Sequence, residues 1–207
     1  MTTRRDILKA AAVAPLAFVP MSNVDAMKAS LHATAALENA GLGATYVPKF
    51  FKQDEWQALR IVVDLIIPRD DRSGSATEAG VPEFMDWICV EYPSYQNTRE
   101  ALRWIDGFAY NSFAKSFAKC SVVQRKQLLD QIAWPTKAKK ELAEGVSHFN
   151  RLRDFTASGF FSSQMGVKDL QYMGNVALPV WPGCPPAAMQ HLGVDHDVMK
   201  SRIPSRY

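Results

Sequence analysis

The chain has 207 residues, 47% hydrophobic and 22% charged, which fits one ordinary globular domain once any leader is set aside. Its formal charge is +3; Arg4, Arg5 and Lys9 against Asp6 and Asp25 put 3 − 2 = +1 in residues 1–26, so the body carries only +2. A near-neutral body argues against a nucleic-acid binder, and no apolar run approaches the ~20 residues of a membrane span.

The chain begins with Thr3-Arg4-Arg5-Asp6-Ile7-Leu8-Lys9, followed by an uncharged stretch from Ala10 to Pro20. Paired arginines before a modest apolar run read as a twin-arginine export signal over 1–26, with Arg4 and Arg5 as its core. Val24-Asp25-Ala26 offers small residues for cleavage after Ala26. Residues 27–52 form a lead-in: an alanine-rich part that suits a short helix or a loose segment, then an extended arm with Tyr46, Phe50 and Phe51. Gly41 and Gly43 make no dinucleotide fingerprint, since no strand precedes them and the third glycine is missing.

A helical hairpin over about 54–92 organises the remainder. Trp56, Leu59, Val62, Val63, Ile66 and Ile67 recur at helical spacing behind Asp54, the expected cap. Only Gln57, Arg60 and Asp64 leave a polar strip. Pro68 stops this helix, Gly80 breaks the loop, and Pro82 suits the first turn of the next helix. Phe84, Met85, Ile88 and Cys89 form its apolar face. Thr98 is placed to cap a long helix through Phe113. Ser121 to Gln124 is a capping box for a helix carrying Leu128, Leu129 and Ile132. A further helix runs from Thr136 until Gly159 ends it. No stretch alternates with period two, so residues 53–207 read as a single all-α domain. Its C-terminal part, 160–207, is an interface-type tail in which four prolines and two glycines between Met173 and Pro186 forbid regular structure.

Catalytic constellations are scarce. His32, His148, His191 and His196 form no close metal pair, and Asp195-His196-Asp197 is better read as a solvated turn. Asp70 and Asp71 are adjacent loop acids whose side chains diverge. Asp64 is more informative: a carboxylate in an apolar helix either marks a site or hydrogen-bonds a neighbouring loop, and the second role is the commoner. Cys89 lies on a core face and Cys120 at a helix junction, leaving an internal bridge between them open. Cys184, between Gly183 and Pro185, is the candidate for an intermolecular disulfide, because an odd cysteine count in an oxidising compartment leaves one thiol over.

Several blocks together resemble the gluconate 2-dehydrogenase subunit 3 family. They are Thr3 to Lys9, Phe51 with Glu55-Trp56, Asp64-Leu65-Ile66-Ile67-Pro68-x-Asp70, Glu78 to Asp86, Tyr172-x-Gly174-Asn175 and Trp181-x-Gly183-Cys184-Pro185. The resemblance implies a non-catalytic small subunit of a periplasmic, FAD-dependent, GMC-type sugar or polyol dehydrogenase. Such a subunit serves maturation, stability and twin-arginine co-export of the catalytic chain. FAD would sit in that large flavoprotein partner and no cofactor in this chain. A cytochrome c subunit and the twin-arginine translocase are further expected partners, and any membrane association would come through the complex. Phe160, Phe161, Tyr172, Asn175 and Trp181 are the expected interface anchors. The alternatives are a free-standing export chaperone and an independent periplasmic enzyme using Asp64, His148 or His191.

Overall fold

A computed structural model describes residues 22–42, 44–172 and 184–193. The contacts divide the chain into two units, Met1–Tyr172 and Met173–Tyr207. Every regular element among the described residues is helical, in agreement with the all-α expectation. Arg4 and Arg5 lie outside the described residues, as do Asn175, Trp181, His196 and nearly all of the proline-rich tail.

Helix α1, Asn23–Gly41, forms where the sequence admitted either a helix or a loose lead-in. Ser22 caps it, its Oγ accepting from the Asp25 amide at 3.2 Å. Its buried residues are the small Ala29 and Ala33, which let it lie close against the second helix of the helical hairpin. Gly80 adopts φ +78° there, and a Cβ on it would meet Leu37 at 3.1 Å and Ala33 at 3.2 Å. Thus one glycine serves both a left-handed turn and a close helix approach. The helix also begins ahead of Ala26, so cleavage after Ala26 would remove the cap and the first turn.

The hairpin is α2, Gln53–Ile66, and α3, Val81–Glu91. Trp56, Leu59, Val62 and Val63 face Phe84, Met85, Ile88 and Cys89 in the core, all buried. Lys52, not Asp54, is the N-cap of α2, and the Glu55 carboxylate accepts from the Lys52 amide at 3.0 Å. Asp54 instead lies in the first turn, where a negative charge suits the helix dipole. Pro82 occupies the first turn of α3, as the sequence predicts. The polar loop between the helices is tied down: Asp64 Oδ1 accepts from the Thr77 amide at 2.7 Å, and Ala76 is fully buried. That bond assigns Asp64 the loop-fixing role.

Helix α4, Thr98–Phe113, buries Ala101, Leu102, Ile105 and Ala109. Asn97 is its N-cap; Thr98 is already helical, and its hydroxyl donates to the Tyr95 carbonyl at 2.7 Å. Helix α5, Val122–Asp130, opens with the expected box, Ser121 and Gln124 each accepting from the other's amide. Helix α6, Ala143–Ser162, starts later than Thr136 and runs through Gly159 instead of ending there. A Cβ at Gly159 would stand 3.0 Å from Phe84 Cδ1 and 3.2 Å from Val81 Cγ1. The glycine is therefore a notch for α3 within a continuous helix. Ser163 then caps the short α7, Gln164–Asp169. In the second unit, α8, Pro186–Leu192, forms directly after Cys184 and Pro185.

Candidate functional site

Three buried carboxylates carry the polar chemistry of the first unit, and none was singled out by sequence reasoning. Asp86 of α3 is fully buried. Its Oδ2 accepts from the Tyr46 hydroxyl at 2.9 Å and the Lys49 amide at 2.8 Å. Its Oδ1 accepts from the Phe50 amide at 2.9 Å and the Phe51 amide at 3.2 Å. The extended arm has no strand partner, so this one carboxylate satisfies amides that would otherwise be buried without acceptors. Burial first, and the Asp86 charge second, raise the Tyr46 phenol far above its ordinary range, so its proton stays on. Tyr46 also stacks on Trp56, with ring centroids 5.4 Å apart.

Glu55 of α2 is buried between two arginines of α4, with Arg99 Nε at 2.9 Å and Arg103 Nε at 3.2 Å. Arg99 also donates to the Phe50 carbonyl and stacks over the Phe50 ring at 4.1 Å. Glu83 is different. It is buried, its Oε1 lies 3.5 Å from Arg60 Nη1, and its Oε2 has no hydrogen-bond partner among the described residues. Desolvation raises its pKa, although its own amide and Arg60 pull the other way.

The cleft beside α2 and α4 has a volume of about 410 Å³ and holds acids and bases in similar number. Two of its three acids are already engaged. Glu55 accepts from three donors, and Asp106 accepts from the Phe117 amide at 2.8 Å. Neither is positioned to abstract a proton from a bound molecule. Asp70 is spent on the Arg72 and Ser73 amides, which hold its pKa down. His32 sits against Tyr46 and Trp87, and burial lowers its pKa. His148 packs beside Trp104, with Glu144 at 3.6 Å from Nε2, while His191 lies on α8. No three potential metal ligands cluster among the described residues.

The expected interface anchors separate. Phe160 is only 1% exposed, because α6 continues past Gly159 and turns this ring into the core; it is a packing residue, not a surface anchor. Phe161, whose ring lies edge-on to that of Phe160 with centroids 5.3 Å apart, is partly exposed, and Tyr172 is 61% exposed. Cys89 and Cys120 are both buried and no disulfide joins them. Cys89 donates to the Tyr95 carbonyl at 3.4 Å, and burial pushes its thiol up to about 12. Cys184 is exposed.

Residues 53–183, well over half of the chain, match a protein-family model described as gluconate 2-dehydrogenase subunit 3. No curated protein and no solved structure matches the chain.

Proposed function

This chain belongs to the gluconate 2-dehydrogenase subunit 3 family, and on that premise we propose that it is the non-catalytic small subunit of a periplasmic sugar or polyol dehydrogenase. The catalytic partner is a large GMC-type flavoprotein holding FAD, and this chain supports its maturation, stability and twin-arginine export. A cytochrome c subunit is a further partner to which electrons pass. The observation that carries the reading is the extent of the family match, from the first residue of α2 to beyond α7.

The chemistry of the first unit supports it. Buried Asp86 and Glu55 serve as internal clamps, and Glu55 and Asp106 of its open cleft are already bound to donors. Among the described residues, the glycine that the sequence offers for a phosphate does not suit a flavin. Gly41 ends α1 and so stands among helix C-terminal carbonyls, which repel a phosphate. FAD therefore belongs to the partner in this reading. Phe161 and Tyr172 are the described anchors left for that partner, and Cys184 is the candidate for an intersubunit disulfide.

The test is affinity capture of the tagged chain from native periplasm, with an absorbance spectrum and paired gels. Capture of a flavin-coloured large chain supports the proposal, and separation only under reductant supports the Cys184 bridge. Recovery of a colourless lone chain refutes the subunit assignment.

A further inference from the structure

The net charge of +3 hides a strong concentration. Residues 115–140 contain seven Lys and Arg against Asp130, a net of 7 − 1 = +6, so the other residues sum to 3 − 6 = −3. Six of these cations are lysines: Lys115, Lys119, Lys126, Lys137, Lys139 and Lys140. All six are exposed, and none is in an ion pair among the described residues. The one arginine, Arg125, is turned inward, donating to the Phe117 and Ala118 carbonyls.

Apolar side chains protrude from the same segment. Trp134 is 60% exposed and Val122 and Val123 are comparably so, while Leu128, Leu129 and Ile132 point into the core. At about 100° per residue, Val123, Lys126, Gln127 and Asp130 fall on the outer face of α5, opposite Leu128. Trp134 continues past the end of that helix, with the Lys137 ammonium 5.7 Å from its ring centroid. Two exposed valines thus precede Lys126, and an exposed tryptophan precedes Lys137, Lys139 and Lys140, so apolar side chains and unpaired lysines are interleaved along the segment.

We propose that α5 and the 131–140 connection form a docking face for an anionic lipid membrane. Valine and tryptophan enter the headgroup boundary, and the lysines pair with lipid phosphates. Lysine stems reach through an interface while the ammonium stays wet, which suits lipid. A nucleic-acid face would instead be expected to present arginine forks, and the only arginine of the segment is spent on carbonyls. No described helix is long and apolar enough to cross a membrane, so the contact is peripheral. This inference is independent of the proposed dehydrogenase partner.

The test is co-sedimentation of the purified full chain, or its native complex, with phosphatidylcholine vesicles that do or do not contain about a third phosphatidylglycerol. Binding only to the anionic vesicles, weakening with salt, is expected. At roughly fivefold per lysine, Lys137→Gln/Lys139→Gln/Lys140→Gln should weaken binding by on the order of a hundredfold. Trp134→Ser should weaken it too and abolish the lipid-dependent blue shift of tryptophan emission. These sites are exposed, so helicity and flavoprotein capture should be unchanged, which separates this result from the subunit question. Equal binding to both vesicle types, or unchanged binding of the triple lysine variant, overturns the proposal. Binding of a DNA duplex or an acidic polypeptide without vesicle binding also overturns it.

Discussion

Asp86→Asn tests whether one carboxylate holds the 44–52 arm. The amide keeps the volume but replaces one acceptor oxygen with a donor. If nitrogen takes the Oδ2 place, it confronts the Lys49 amide, while the Tyr46 hydroxyl can rotate to accept. If it takes the Oδ1 place, both the Phe50 and Phe51 amides lose their acceptor. The first arrangement is cheaper, yet it still leaves one buried N–H unpaired and strips charge from the bonds that remain. Hydrogen bonds to a charged group are worth about 1.5–3 kcal/mol each, so the loss should be roughly 3 kcal/mol. Tyr46→Phe removes one bond and should cost about 1.5 kcal/mol. Urea unfolding followed by tryptophan emission measures both, and Trp56, stacked on Tyr46, reports the arm. Hydrogen exchange at the Lys49, Phe50 and Phe51 amides gives the local answer: protection should fall in Asp86→Asn. A loss below about 1 kcal/mol with those amides still protected would refute the clamp, and burial of Phe51 would then have to hold the arm.

Three further outcomes are expected. Glu83 has a raised folded-state pKa, so its favourable contribution is fully present below the ordinary 4.5 and is lost as pH rises through the folded value. Glu83→Gln should therefore gain stability relative to wild type as pH rises above that point, and a pH-independent difference in paired urea titrations would contradict this. Gly159→Ala gains about 1 kcal/mol of helix propensity but forces a methyl against buried Phe84, so a net loss of roughly 1–2 kcal/mol in urea unfolding is expected. In the native chain a thiol-reactive maleimide should spare Cys89 and Cys120, which are buried, and label them only on unfolding; mass spectrometry of labelled peptides checks it.

The hairpin was legible because helical spacing and two prolines mark it without tertiary information. Asp64 was legible for the same reason, as the polar residue of an apolar helix nearest a loop. The alanine-rich α1 was not, since alanine suits a free helix and a packed one equally, and only contact with α3 decides. Gly159 was misread because glycine weakens an isolated helix, whereas here the absent side chain makes room for Phe84. That error carried Phe160 with it: two residues beside a supposed helix end look like surface anchors, yet on a continuing helix the first is drawn into the core. Asp86 did leave a signal. It falls between Pro82 and Cys89 at steps of four and three, on a face that is otherwise core. A charge at such a position implies donors brought from elsewhere, and the arm supplies them.

Charge shows the same limit from the other side. A body charge of +2 argues against a nucleic-acid binder, but a sum over the chain says little where acids and bases have different fates. Here Glu55 and Asp86 are buried among their own donors and Glu83 is buried beside Arg60, so they offer little to an approaching surface. The six lysines of residues 115–140 are outside and without ion-pair partners. What another molecule meets is the exposed, unpaired part of the charge, and screening limits its reach to about 8 Å at physiological salt. At that distance the lysines of α5 and the 131–140 connection act as a local basic face, whatever the chain carries elsewhere. Neutralising Lys137, Lys139 and Lys140 takes away three of those four lysines while leaving every buried clamp intact, which is why that substitution separates surface recognition from folding.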